Sequence, residues 1–85
     1  MEIRNIILLD ENLKYDYVLY ECSYKNIKNC KYLFSSNNIN IVTDVLKTLV
    51  DGRKCFLLYK KATNTVEFYN KHGSYEKTYE SLFFL

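Results

Sequence analysis

Two spacings of apolar residues run along this chain, and the change from one to the other marks its elements. Ile39, Val42, Val45, Leu46, Leu49 and Val50 fall on one stripe at the 3.6-residue period of an amphipathic helix. Asn37 or Asn38 is placed to cap its first N–H groups, because a short amide side chain bonds the backbone better there than mid-helix. Asp44, Lys47, Thr48 and Asp51 make the polar face. Gly52 offers the left-handed residue that ends helices at low steric cost, and Arg53 and Lys54 suit the negative helix end. Ile41, Val42, Thr43 and Val45 are β-branched and lower the intrinsic propensity, so tertiary burial has to hold this helix.

Beyond Gly52 the pattern changes. Cys55-Phe56-Leu57-Leu58-Tyr59 is a continuous apolar run, too short for a helix, and predicts a strand buried on both faces near the middle of a sheet. Lys60-Lys61-Ala62-Thr63-Asn64 is a turn in which Asn64 can take a positive φ. Thr65-Val66-Glu67-Phe68-Tyr69 alternates, with Val66 and Phe68 on one face and Thr65, Glu67 and Tyr69 on the other. The pair forms a hairpin, the nearest apolar surface for the helix stripe to cover.

Upstream, residues 2–9 predict a first strand and Asp10-Glu11-Asn12 a turn. Residues 15–24 alternate as a second strand, whose shortest connection pairs it with the first. Lys25-Asn26-Ile27-Lys28-Asn29 is polar, a loop or one helical turn, and Cys30-Lys31-Tyr32-Leu33-Phe34 is a third strand. Downstream, Lys71-His72-Gly73-Ser74 is a loop. Residues 75–85 fit either a short helix capped by Ser74 or an edge strand, with an edge strand or a short packed turn preferred. Their end, Leu82-Phe83-Phe84-Leu85, is too apolar to stand in water and packs on the core or on a partner. The expected fold is α+β: one compact domain over residues 1–85, with an antiparallel or mixed sheet of about five strands and one amphipathic helix on a face. The expected order is β-β-β-α-β-β with the tail undecided.

Composition narrows the class. At 85 residues, 48% apolar and 16% aromatic, the chain has enough surface to bury one core, and the absence of proline removes Pro-rich linkers. The net charge of +2 is too small by itself to argue for DNA. Its distribution says more: Lys25, Lys28 and Lys31 form one basic segment, and Arg53, Lys54, Lys60 and Lys61 another. Three cysteines without a CxxC pair suit a reducing compartment, with Cys22 and Cys55 as small core residues. The apolar run Ile6-Ile7-Leu8-Leu9 stops at Asp10-Glu11 and is too short for a signal peptide or a membrane span. A soluble protein of the cytoplasm, of its own cell or of a host cell, is expected.

Candidate chemistry is sparse. His72 is the single histidine, and its spacing from Cys22, Cys30 and Cys55 lacks the close ligand pair of zinc sites or the base a nucleophile needs. With two isolated glycines there is no phosphate-cradling loop. No enzyme, cofactor or metal is expected. Nine tyrosines stand out, and half-buried strand positions account for many of them. Surplus tyrosines would make a rigid contact surface with polar tips. The expected function is therefore a small non-enzymatic binding protein. The Lys-, Asn-, Ile- and Tyr-rich composition, of a kind found in low-GC bacteria and their phages, suggests a phage or mobile-element inhibitor that sterically blocks a host nucleic-acid-processing or defence protein. Lys31, Tyr32, Tyr59, Lys60, Lys61 and Tyr69 are the candidate contact residues. The alternatives are nucleic-acid binding through the Lys/Tyr segments, or a homodimer joined by an edge strand or by the tail at Leu82 to Leu85.

Overall fold

The computed structural model describes residues 14–23 and 26–80. Five strands and one helix are found there: β1 (Tyr17–Ser23), β2 (Asn26–Ser36), α1 (Ile39–Leu49), β3 (Lys54–Lys60), β4 (Thr65–Tyr69) and β5 (Tyr75–Glu80). The strands form one sheet in the order β2-β1-β3-β4-β5, and every neighbouring pair is antiparallel. The chain is an α+β domain of order β-β-α-β-β-β. The strand expected over residues 2–9, the turn after it and the tail from Leu82 to Leu85 lie outside the described residues.

β3 is the middle strand, and Cys55, Phe56, Leu57, Leu58 and Tyr59 are all buried. The unbroken apolar run is what a strand with a layer on each face requires. Phe56 and Leu58 point to the helix side, where Leu19, Val42 and Leu46 complete a buried cluster. Cys55, Leu57 and Tyr59 point the other way and join Val18, Tyr20, Cys22 and Val66 in a second one. The Tyr59 hydroxyl is not stranded in this layer, because it donates to Oδ1 of Asn64 at 3.1 Å. Asn64 closes the β3–β4 turn with φ 53°, the positive value its sequence position predicts.

The helix starts as its sequence requires. The side chain of Asn38 accepts from the Asn40 N–H at 2.9 Å, making it the cap. Asn37 acts outside the helix, where its Oδ1 accepts from the Asp16 N–H at 2.9 Å and ties the helix start to the beginning of β1. Thr43 and Thr48 bond back to the carbonyls of Ile39 and Asp44, which satisfies hydroxyls that would otherwise compete with the helix.

Four expectations need correction. The helix lies mainly over β1 and β2 and meets the β3–β4 hairpin through Phe56 and Leu58; the following β3 enters the sheet beside β1, so the helix lies back over strands that precede it. Residues 26–29 are the start of β2 and not a loop, and Asn26 pairs with Ser23 of β1. Leu49, on the expected core stripe, is 37% exposed at the end of the helix. Gly52 does not terminate α1, which ends on an extended Val50; its φ of 81° instead serves the 51–53 turn, where the Asp51 side chain accepts from the Arg53 N–H. Hydrogen bonding from that N–H holds the Asp51 carboxyl below its ordinary value.

Gly73, with φ 79°, sits in the tight 70–74 loop, where an added Cβ would lie 2.7 Å from Cγ2 of Val50. Two tests follow from this packing. Phe56→Ala should lose about 3–5 kcal/mol in urea unfolding, whereas Ile41→Ala, at a helix position 47% exposed, should stay within roughly 0.5 kcal/mol of the parent. Gly52→Ala should cost about 1–2 kcal/mol for its backbone alone, and Gly73→Ala clearly more, since it also meets Val50. Equal costs at the two glycines would contradict the packing of this loop.

Candidate functional site

Because α1 lies over β1 and β2, the same face of the sheet carries a polar and aromatic set beyond β3. Alternation puts Lys60 of β3 and Glu67 and Tyr69 of β4 there, and the pairings Glu67↔Thr78 and Tyr69↔Tyr75 add two residues of β5. The side chains form a connected row. Lys60 Nζ lies 3.0 Å from Oε2 of Glu67. The Tyr69 hydroxyl donates to the other carboxylate oxygen, Oε1, at 2.7 Å. The ring of Tyr69 meets that of Tyr75 edge to face, with centroids 5.9 Å apart. The Tyr75 hydroxyl is 2.6 Å from Oγ1 of Thr78.

The row is an ordered aromatic surface. Edge-to-face packing and hydrogen bonds at both phenols fix the two rings, so little rotamer freedom remains to be lost when something docks. Tyr75 nevertheless stays 54% exposed on β5, the last strand of the sheet among the described residues. The 70–74 loop that joins β4 to β5 is itself tightly bonded: the Asn70 side chain accepts from the N–H groups of His72 and Ser74 and donates to Glu76. On the reverse side of β5, Lys77 Nζ stands 5.0 Å from the Tyr79 ring centroid.

The six residues singled out from sequence do not converge. Lys60 and Tyr69 belong to the row just described. Lys61 is exposed in the adjoining turn. Tyr59 is only 2% exposed and faces the opposite layer, so the native fold presents none of its ring to a partner. Lys31 and Tyr32 are exposed on β2, the other edge of the sheet, with the Tyr32 hydroxyl 2.9 Å from Oγ of Ser35. Four strand spacings separate that edge from β5, about 19 Å. Glu67, Tyr75 and Thr78 were missed. The alternation of β4 already placed Glu67 beside Tyr69; Tyr75 and Thr78 needed the knowledge that the tail continues the sheet.

The electrostatics break up the second basic segment. Arg53 lies 3.7 Å from Asp51, Lys54 3.2 Å from Glu21 and Lys60 3.0 Å from Glu67. Three of its four cations thus have a carboxylate beside them, which weakens the field a phosphate backbone would meet. His72 is exposed in its loop and is not among the groups acting on any cysteine thiol. Among the described residues, no group of three or more His, Cys, Asp or Glu could hold a metal ion, and no helix is long and apolar enough to cross a membrane. Comparison with protein-family models, with curated proteins and with solved structures finds no match for this chain.

Burial first, and then the hydrogen bond to Glu67, push the Tyr69 phenol well above its ordinary value. An unfolded tyrosine ionises near pH 10, so the contribution of Tyr69 is complete below about pH 10. It is lost as the pH rises from there toward the folded value. Tyr69→Phe keeps the ring but cannot ionise. In urea unfolding across an alkaline pH series, its stability should therefore fall less steeply than that of the parent. Parallel slopes would show that Tyr69 is solvated in the native state.

Proposed function

We propose that this chain is a non-enzymatic binding domain that acts by occupying the surface of another protein through the helix-side face of β4 and β5. The observation that carries the reading is the Tyr69–Tyr75 pair, fixed by hydrogen bonds to Glu67 and Thr78 while Tyr75 stays 54% exposed. Tyrosine is among the side chains that concentrate binding energy, since it buries a large rigid area and keeps a polar tip. Lys60, Glu67 and Thr78 supply the polar rim such a contact uses. An extended partner segment aligned along β5 would add main-chain hydrogen bonds to this aromatic anchor.

The occluded protein, in this proposal, is a host nucleic-acid-processing or defence protein, and the chain inhibits it by covering its working surface. The composition motivates that choice, and capture of the partner decides it. Tagged protein is incubated with host lysate, treated with nuclease, and washed at two salt concentrations. One protein should be retained through both washes. Tyr75→Ala should keep the circular dichroism of the parent and weaken capture at least about tenfold, the effect of a contact hot spot. Lys31→Ala/Tyr32→Ala should leave capture unchanged. Full capture by Tyr75→Ala would refute this surface, and recovery of nucleic acid alone, lost at high salt, would refute the protein partner.

A further inference from the structure

The three cysteines, scattered in sequence, are neighbours in the fold. Cys22 of β1 lies directly opposite Cys55 of β3. On its other side, one step beyond the pair Glu21↔Lys31 in the β1–β2 register, stands Cys30. All three belong to the layer away from the helix, with Cys22 3% and Cys55 1% exposed and Cys30 only partly buried against them. None is in a disulfide. Hydrogen bonding between the Cys22 and Cys30 thiols lowers the first and raises the second.

We propose that Cys22 and Cys30 form a redox-responsive pair, closed by peroxide to a disulfide that staples β2 to β1. Their chain neighbours Glu21 and Lys31 are register partners and both side chains lie in one packed layer, with the register shifting just beyond, between Glu21 and Ser23; a disulfide needs Cα atoms about 4.4–6.8 Å apart. The hydrogen bond shows that the two sulfurs already point at each other. It also favours the thiolate on Cys22 and keeps the proton on Cys30, so the pair holds both an attacking sulfur and its resolving partner. Cys30, on β2, is the partly exposed member and opens the pair to a small oxidant, which the Cys22 sulfur beside it attacks. Cys55 is as buried as Cys22, and that burial pushes its thiol up, so it stays protonated and is the poorer competitor. In the reaction the S–S bond forms as the O–O bond of hydrogen peroxide breaks. The two sulfurs lose two electrons, and their hydrogens leave on the peroxide oxygens as two molecules of water.

The test uses the folded chain and hydrogen peroxide. After oxidation, catalase treatment and denaturation, thiols are alkylated and the intact mass is read. Accessible thiols should fall from three to one, with loss of the mass of two hydrogens. Peptide mapping should join Cys22 to Cys30. A Cys55→Ala chain should go from two thiols to none, and Cys30→Ser should form no intramolecular bridge. Oxidation in denaturant should spread over all three pairings, so a single pairing in the folded chain measures the geometry. Three alkylated thiols after peroxide, a bridge to Cys55, or a bridge between two chains would each overturn the proposal.

Discussion

Five consecutive side chains of β3, Cys55 through Tyr59, are withdrawn from water, and a strand buried on both faces needs a partner on each edge and a layer on each side. Fully burying a Leu or Phe side chain favours folding by about 1.5–3 kcal/mol, so this short run is a large share of what the domain can bury. The other elements follow from it. β1 and β4 supply its backbone partners, α1 caps the cluster around Phe56 and Leu58, and Val18, Tyr20, Cys22 and Val66 build the layer around Leu57. At each end of the buried run stands a lysine on the helix side. Lys54 pairs with Glu21 on β1, and Lys60 with Glu67 on β4. Such pairs contribute little energy, about 0–1 kcal/mol each, yet a one-residue slip of β3 would turn both lysines to the wrong face. They fix the register of the middle strand against both neighbours.

That constraint also explains which parts of the fold were legible in the sequence. The helix stripe, the Asn cap, the β3–β4 hairpin and the positive φ at Asn64 rest on local spacing, and the structure shows them where the spacing put them. The start of β2 at residues 26–29 is polar, and polar residues do not announce a strand that pairs with β1 from Asn26. The helix rests on β1 and β2, and nothing within 39–50 says which strands will lie beneath. Tyr59 was the costliest ambiguity for the site. An unbroken apolar run has no alternation, so the face to which any member points cannot be read from it; Tyr69, in an alternating strand, was placed on the correct side of β4. The row from Lys60 to Thr78 and the Cys22–Cys30 contact both depend on strand order, and strand order is a long-range property.

The lysines picked out for their charge and the tyrosines picked out for their area fare differently once the fold is known. A lysine beside a carboxylate has less to offer an anionic partner, and Lys54 and Lys60 are both in that position. A tyrosine held by a neighbouring ring and a hydroxyl has more to offer than a loose one, because its ordering has already been met by folding. Glu67 links the two effects: one carboxylate oxygen draws in Lys60 and the other orients Tyr69. Its place in the row is between a cation and an aromatic pair, neutralising the one and orienting the other.

The two surfaces of interest lie at opposite ends of the sheet. Tyr75 stands on β5, and Cys30 on β2, with β1, β3 and β4 between them. They also use different faces, since Tyr69 and Tyr75 lie on the helix side while Cys22 and Cys30 belong to the other layer. A bridge between β1 and β2 would therefore close without touching the aromatic row. Any influence of one on the other would have to pass through β3, which is packed on both faces. A sheet organised around such a strand can carry a contact surface at one edge and a reactive thiol pair at the other, each free to act without deforming its counterpart.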